Sequence, residues 1–429
     1  MIKSQERAGR ERAVELDAAD PLGVFRERFF FGDDGAFGAG RASKGHGRPQ
    51  APTHPIYLDG NSLGRLPVAT LQRLERVVGS EWGVGLIGSW SEGWMDLPVT
   101  VGDRLASVAL GAAPGQVVVG DSTTVCLYKL ASAALDARPG RTEILTDADN
   151  FPTDRYVLEG LARARGLELR WLRGDPAAGP TPSDVSALIS SRTALVSFSH
   201  VSYRSAHIAE MAQINALAHA AGALTLWDLS HSAGSVPIAL DDDAADLAVG
   251  CTYKYLCGGP GAPAYMYVRR ELQERLRQPI WGWLGRLDAF EMEPGYVPAA
   301  GIRGWLSGTP PVLALAAVDE GARLVGEAGI GAIREKGVAL TELAISLADE
   351  RLAGFDVRVA SPRDSGRRGA HVAVAHPDAR RLCAELGARG VIVDFRAPDV
   401  IRLGLSPLTT RFIDVWDGVD VLQSLLARA

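Results

Sequence analysis

Residues 250–267 read GCTYKYLCGGPGAPAYMY. The 45 Lys plus Arg of this 429-residue chain include lysine only at positions 3, 44, 129, 254 and 336, so nearly every positive charge is arginine. Lys254 follows the run DLAVGC, which reads as a buried strand, and precedes a glycine-rich turn. A strongly hydrated point charge has little structural use in such a place. A lysine there is either a structural accident or a nucleophile.

Outward from that stretch, β-rich runs alternate with helical patterns. QVVVGD leads into an apolar segment at 123–135, TEILTD is followed by a helix after Pro152, TALVSFSHV precedes IAEMAQINALAHAAG, and ALTLWDLS comes next. The strands are continuous apolar runs, as parallel strands covered on both faces should be. That predicts an α/β fold, a mostly parallel sheet wrapped by helices. After GTPPVLALAAV the pattern changes to helices at 310–326 and 331–352, the strands FDVRVASP and AHVAVAHP, a helix at 377–388, strands around VIVDFRAPDVIRLGL and a C-terminal helix. This is a smaller α+β unit. The expected division is 1–55 for an N-terminal helix and a Gly/Pro-rich linker, 56–305 for the large domain and 306–429 for the small one, as single cores stop growing near about 250–300 residues.

The net charge of −6, with no basic block, gives no footprint for nucleic acid or an anionic membrane. No stretch approaches the roughly twenty apolar residues of a membrane span, and the charged N-terminus is unlike a signal peptide, so a cytoplasmic protein with a small-molecule partner is expected. Cys126, Cys251, Cys257 and Cys383 are dispersed without a zinc spacing and read as reduced, mostly buried thiols; no metal site is expected. No Walker A motif appears, and no GxGxxG follows the first strand.

In open α/β sheets ligands sit at the carboxyl ends of the strands. Asp228 ends LTLWD, and Lys254 comes about two dozen residues later, just past the next strand-like segment. A buried carboxylate and a lysine at one sheet edge suit pyridoxal phosphate, which needs an amine for its Schiff base and an acid beside its ring nitrogen. Ser122, Thr123 and Thr124 open a helix after a strand, where free N–H groups favour a phosphate. Tyr253 could offer its phenol to that phosphate, and Phe151 could stack on the ring with Asp154 close behind. Taken singly, Asp228 reads as an ordinary polar strand end before a cofactor ligand, the STT run as a plain N-cap at least as readily as an anion site, and His231 equally as a turn residue. Together they favour the cofactor.

From residue 56 to about 425 the chain resembles the class V branch of fold-type I pyridoxal-phosphate enzymes, and within it the kynureninases. YLDGNSLG, NFPTDRY, WDLSHSAG, CTYKYLCGGPGAPAYMYV, GWLG, GTPP and VIRLGLSPL fall in that family's order. The resemblance implies that Lys254 forms the Schiff base, Asp228 faces the ring nitrogen with His231 supporting that pocket, Phe151 stacks, Asp154 contacts the cofactor edge, Thr123 and Thr124 hold the phosphate, and Tyr253 reaches the phosphate and assists proton transfer. Tyr203 would line the same pocket. Arg402 would grip the substrate carboxylate in a bidentate pair, with Ser62 on the substrate side. Trp283 and Thr309 would complete the pocket from the neighbouring subunit of a homodimer.

The implied reaction is hydrolysis of L-kynurenine to anthranilate and L-alanine. Animal members that prefer 3-hydroxykynurenine typically carry an asparagine where this chain has Thr309 and a histidine in the region of GLIGSWSEGW, which has none here, so kynurenine itself is the expected substrate. The alternatives are another class V enzyme, such as a cysteine desulfurase or lyase, and a non-catalytic protein of the same fold. A desulfurase needs a thiolate on a mobile loop, and none of the four cysteines suits that task.

Overall fold

A computed structural model describes residues 2–32 and 55–428, the side chains of residues 2–8 excepted. The stretch read as a linker therefore lies, from 33 to 54, outside the described residues. In chain order the strands are β1 (Ile56–Tyr57), β2 (Val117–Val119), β3 (Glu143–Asp147), β4 (Glu168–Leu172), β5 (Thr193–Ser199), β6 (Leu224–Asp228), β7 (Leu247–Gly250) and β8 (Tyr265–Val268). They continue with β9 (Arg358–Val359), β10 (His371–Ala375), β11 (Val391–Ile392), β12 (Asp394–Arg396) and β13 (Val400–Gly404).

Strands β2 to β8 form one seven-stranded sheet in the order β2-β8-β7-β6-β5-β3-β4. Strands β3 to β7 pair in parallel, and β8 runs against both its neighbours. Successive residues face opposite ways along a strand. Leu145, Val196, Trp227 and Ala248 thus enter one apolar cluster, while Ile144, Leu195, Leu226 and Val249 enter another on the far face. Both faces are covered, which explains the unbroken apolar runs.

Strands β9, β10, β12 and β13 form a four-stranded antiparallel sheet in the order β12-β13-β10-β9. Val372, Val374, Ile401 and Leu403 pack on one side into a core shared with the helices Ile330–Arg351, Ala379–Ala388 and Phe412–Leu426. By register the opposite face carries His371, Ala373, Asp394, Arg396 and Arg402.

The N-terminal segment and β1 both join the C-terminal unit. Strand β1 pairs in parallel with β11 of the C-terminal unit, and the N-terminal helix lies on the helix Phe412–Leu426, whose Phe412 and Ile413 N–H groups donate to the Asp17 carboxylate at 2.7 and 3.0 Å. A two-residue strand paired so far along the chain leaves no periodicity to read.

Candidate active site

The loop Asp59–Gly64 threads between the two sheets. Gly404 N donates to Leu58 O at 2.7 Å, and Gly64 N donates to Tyr253 O at 2.8 Å. A Cβ on Gly60 would come within 2.7 Å of Ser406 Cβ, and one on Gly64 would collide with the Lys254 carbonyl oxygen. Close backbone approach accounts for both glycines of YLDGNSLG.

Asp228 lies opposite Val249 at the carboxyl ends of the parallel neighbours β6 and β7. Leu229 N donates to Val249 O at 2.7 Å and Ser230 N to Asp228 Oδ1 at 2.7 Å, a tight turn that presents His231. Lys254 arrives a few residues beyond β7, its Nζ 2.9 Å from His231 Nε2 and 5.8 Å from the centroid of the Phe151 ring. They border a cavity of about 650 Å³. Its walls include Thr123, Thr124, Phe151, Asp154, Tyr203, Asp228, His231, Tyr253, Lys254 and Thr309, so ten of the residues read from the sequence meet here.

Three lysines among the described residues with described side chains are all buried: Lys129, Lys254 and Lys336. Lys129 Nζ is 2.6 Å from Asp121 Oδ2, and Lys336 Nζ is 2.6 Å from Asp20 Oδ2. Lys254 alone of the three has no carboxylate ion pair, only an imidazole. Scarcity therefore did not single it out; its lack of a counter-charge does. A buried amine without a salt bridge is free to react.

Two carboxyls share the cavity wall. Burial, and then Asp228 beside it, push the Asp154 carboxyl well above the usual carboxylate range. Burial, and then the charge of Lys254, hold His231 well below the ordinary histidine value, so its ring is neutral. Burial also raises the Tyr253 phenol, with Cys251 and Asp228 adding to it, which keeps that phenol a donor.

At the far end of the cavity the 14-residue helix Thr123–Asp136 begins. Ser122 caps it, accepting from Val125 N at 3.4 Å, while the Thr123 and Thr124 N–H groups have no intrahelical acceptor. The preceding Asp121 is left-handed, with φ of 56°, and Lys129 holds its carboxylate while also donating to Trp305 O at 3.1 Å. An unpaired lysine, an acid pair at the opposite wall, an aromatic face and a helix N-terminus form a donor set that fits pyridoxal phosphate.

Three expected residues stand outside the cavity wall. Arg402 is 1 % exposed; its Nε donates to Asp394 Oδ1 at 2.9 Å, its Nη1 to Tyr203 O at 2.6 Å and its Nη2 to Ser62 Oγ at 3.1 Å. Asn61, turned so that both ends of its amide are satisfied, accepts from Nη1 at 3.3 Å as well. Arg402 and Ser62 are thus one layer behind Tyr203, with the guanidinium already engaged. Trp283 packs instead in an aromatic group, its ring centroid 6.1 Å from Trp90 and 5.7 Å from Phe290. Thr309, expected from a neighbouring subunit, lines the cavity of its own chain. Sequence reasoning passed over Asp394, which holds Arg402 and also Arg396 at 2.8 Å, and over Ser199 and Thr153 in the wall. The DFR run ahead of VIRLG was the available signal for Asp394.

Residues 333–422 match the sequence model of the kynureninase C-terminal domain. A kynureninase of Pseudomonas fluorescens is 41% identical over 426 residues, 98% of this chain and 96% of that protein. The chain belongs to the kynureninase family. A kynureninase of Burkholderia pseudomallei is likewise 41% identical, over 97% of this chain and 95% of its own. Among solved structures, the apo form of a cysteine desulfurase from Thermococcus onnurineus superposes with a TM-score of 0.77 over 87% of this chain and 95% of that one, at 19% identity. A cysteine desulfurase from Escherichia coli gives 0.74 over 94% and 98%, at 15% identity. At those identities the likeness is one of fold.

The cysteines also separate this kynureninase-family chain from desulfurase chemistry. Cys126, Cys251 and Cys257 are buried and Cys383 is half-buried. Burial pushes the Cys257 and Cys383 thiols up to about 12 and raises Cys126 further. None of those three is poised as a thiolate.

Proposed function

We propose that this chain hydrolyses L-kynurenine to anthranilate and L-alanine with pyridoxal phosphate held at Lys254. The observation that carries the reading is the buried Lys254 amine, without a carboxylate partner, facing His231 and the Asp154–Asp228 pair in a chain of this family. The bound cofactor supplies an electron sink for negative charge formed beside the amine-bearing carbon. Lys254 is the nucleophile that takes the cofactor and then the group that moves the proton on that carbon, tasks for which arginine has no free amine.

Asp228 would face the cofactor's ring nitrogen, with Asp154 beside it at that wall. Phe151 would pack on the ring face, and Thr123, Thr124 and the helix N-terminus would hold the phosphate. Tyr253, kept protonated by burial, donates at the phosphate and to the departing carbon. Water adds at the substrate's γ-carbonyl, the bond between β- and γ-carbons breaks, and a proton at the β-carbon completes alanine. Arg402 receives the substrate carboxylate once the Tyr203 segment shifts aside and Nη1 and Nη2 release Tyr203 O and Ser62 Oγ, which leaves a guanidinium edge suited to a bidentate pair.

Kynurenine is preferred over its 3-hydroxy relative in this reading, because Thr309 in the wall offers a short hydroxyl and the segment Leu86–Trp90 has no imidazole. The working form is a homodimer. Trp82, Val84, Ile87, Trp281, Phe290 and Met292 are more than half exposed around the Trp90–Trp283 contact, an apolar surface that a second copy of the chain would cover, bringing Trp283 to the other chain's cavity.

The test is anthranilate fluorescence after L-kynurenine is added to the cofactor-loaded protein, beside Lys254→Ala. Fluorescence should rise in the wild type and vanish in the variant. A wild type that shows a lysine-dependent cofactor absorption band yet forms no anthranilate sinks kynurenine as the substrate. Light scattering checks the dimer.

A further inference from the structure

Three buried ring nitrogens at the edge of this site have no hydrogen-bond partner among the described residues. One is His231 Nδ1, behind the nitrogen that meets Lys254; the other two are Nδ1 and Nε2 of His371 on β10. His371 is fully buried, and its ring centroid lies 5.6 Å from that of His231, with the planes tilted by 57°. The Arg204 backbone offers His371 a contact too loose for a hydrogen bond of normal geometry, which favours the charged ring, while burial first, and then the cations Arg402, Lys254 and Arg396, disfavour it more. Both imidazoles are therefore neutral, and the one freedom left to each is which nitrogen bears its proton.

That freedom matters at Lys254. An ammonium has three donors and no lone pair, so the nitrogen facing it must be an acceptor. His231 Nε2 accepts only when the proton sits on Nδ1, and a buried Nδ1–H needs an acceptor of its own. His371 is the neighbouring group able to supply one.

We propose that His371 is a positioning residue for Lys254: it accepts the Nδ1 proton of His231, directly or across one water, and so keeps the Nε2 lone pair of His231 aimed at the lysine amine. The inference rests on the reading of Lys254 as the reactive amine, but it concerns a proton that can be observed without turnover. The four-stranded sheet thereby reaches the lysine through one ring and carries more than substrate-binding groups.

The experiment is long-range proton–nitrogen NMR on the full chain labelled at its histidine nitrogens, with pyridoxal phosphate and after its removal. His231 and His371 signals are assigned by His231→Gln and His371→Gln. The wild type should show His231 with its proton on Nδ1, neutral throughout about pH 6–8. His371→Leu should convert that signal to a mixture of tautomers and shift the pH midpoint of the cofactor's absorption band, whereas His371→Gln, which still accepts a hydrogen bond, should preserve both. A wild-type His231 protonated on Nε2 overturns the proposal without any variant, which covers the case in which His371→Leu fails to fold. An unchanged His231 signal in a folded His371→Leu overturns it too. If anthranilate is never formed while His231 has the expected tautomer, the proposed substrate falls and this inference stands.

Discussion

The two sheets treat buried charge in opposite ways. On the seven-stranded sheet both faces are apolar, and its reactive groups, Asp228, His231 and Lys254, gather beyond the carboxyl ends of its strands with the lysine lacking a counter-ion. On the four-stranded sheet one face is apolar and the other carries an interlocked set in which Asp394 holds Arg396 and Arg402, and Arg402 ties Ser62 and the Tyr203 carbonyl across the gap. Charge at the cavity end of the first sheet is left available for chemistry, while Glu143 at the start of β3 is paired with Arg170 and Arg192; charge at the second sheet joins the two units together.

The strongest test of that contrast compares activity with stability at one residue from each sheet. Lys254→Ala should lower kcat/KM by about 10⁴-fold, since nucleophile and proton carrier are lost together. Its cofactor-free unfolding free energy should stay within about 1 kcal/mol of the wild type, because no carboxylate loses its partner. Arg402→Leu should also lose most activity, but it leaves Asp394 with Arg396 alone and strands the Tyr203 carbonyl, and should cost about 2 kcal/mol of stability, below the figure for breaking a buried pair outright. Urea unfolding of the cofactor-free proteins decides this. Equal destabilisation by the two variants would dissolve the distinction.

Arg402→Lys sharpens the same comparison at smaller amplitude. A lysine keeps the charge but cannot reach Asp394, Ser62 and the Tyr203 carbonyl from one planar group. KM for kynurenine should rise about 10- to 100-fold, the range expected when a charge-assisted pair is weakened, with kcat changing less. A fall in kcat at constant KM would assign Arg402 to holding the fold alone.

These contrasts also mark what a sequence reader can see. Continuous apolar runs exposed the seven-stranded sheet because two-sided burial removes alternation, and the spacing of Asp228 and Lys254 followed from their places beyond adjacent strand ends. The reverse direction of β8 left no trace, since YMYV buried on both faces looks alike in either orientation. The four-stranded sheet was harder. Alternation in HVAVA and VIRLG identifies strands, but that Arg402 is spent on Asp394, Ser62 and Tyr203 O depends on pairings between segments up to 340 residues apart. His371 lies in AHVAVAHP, which reads only as a strand, because nothing in a strand pattern tells which ring faces it from another unit.

The smallest expected effect lies where the two arrangements meet, at Asp59 in the loop between the sheets. Burial, with Asp394 adding to it against the Ser62 hydrogen bond, raises its carboxyl from 3.8 to about 6. A folded value above the unfolded one means that the native state binds the proton more tightly, so the contribution is complete below the unfolded value and is lost as pH rises through about 6. Asp59→Asn removes that titration and keeps the shape. Relative to the variant, wild type should therefore lose stability between about pH 4 and pH 6 and stay level above it, with a difference on the order of 1 kcal/mol because the group is partly exposed. Urea midpoints of both proteins across that window measure it. A wild type that gains stability on the variant as pH rises would mean that Arg402 and Arg396 outweigh burial at Asp59, and would extend the interlocked charge of the four-stranded sheet into the loop that touches the Lys254 carbonyl.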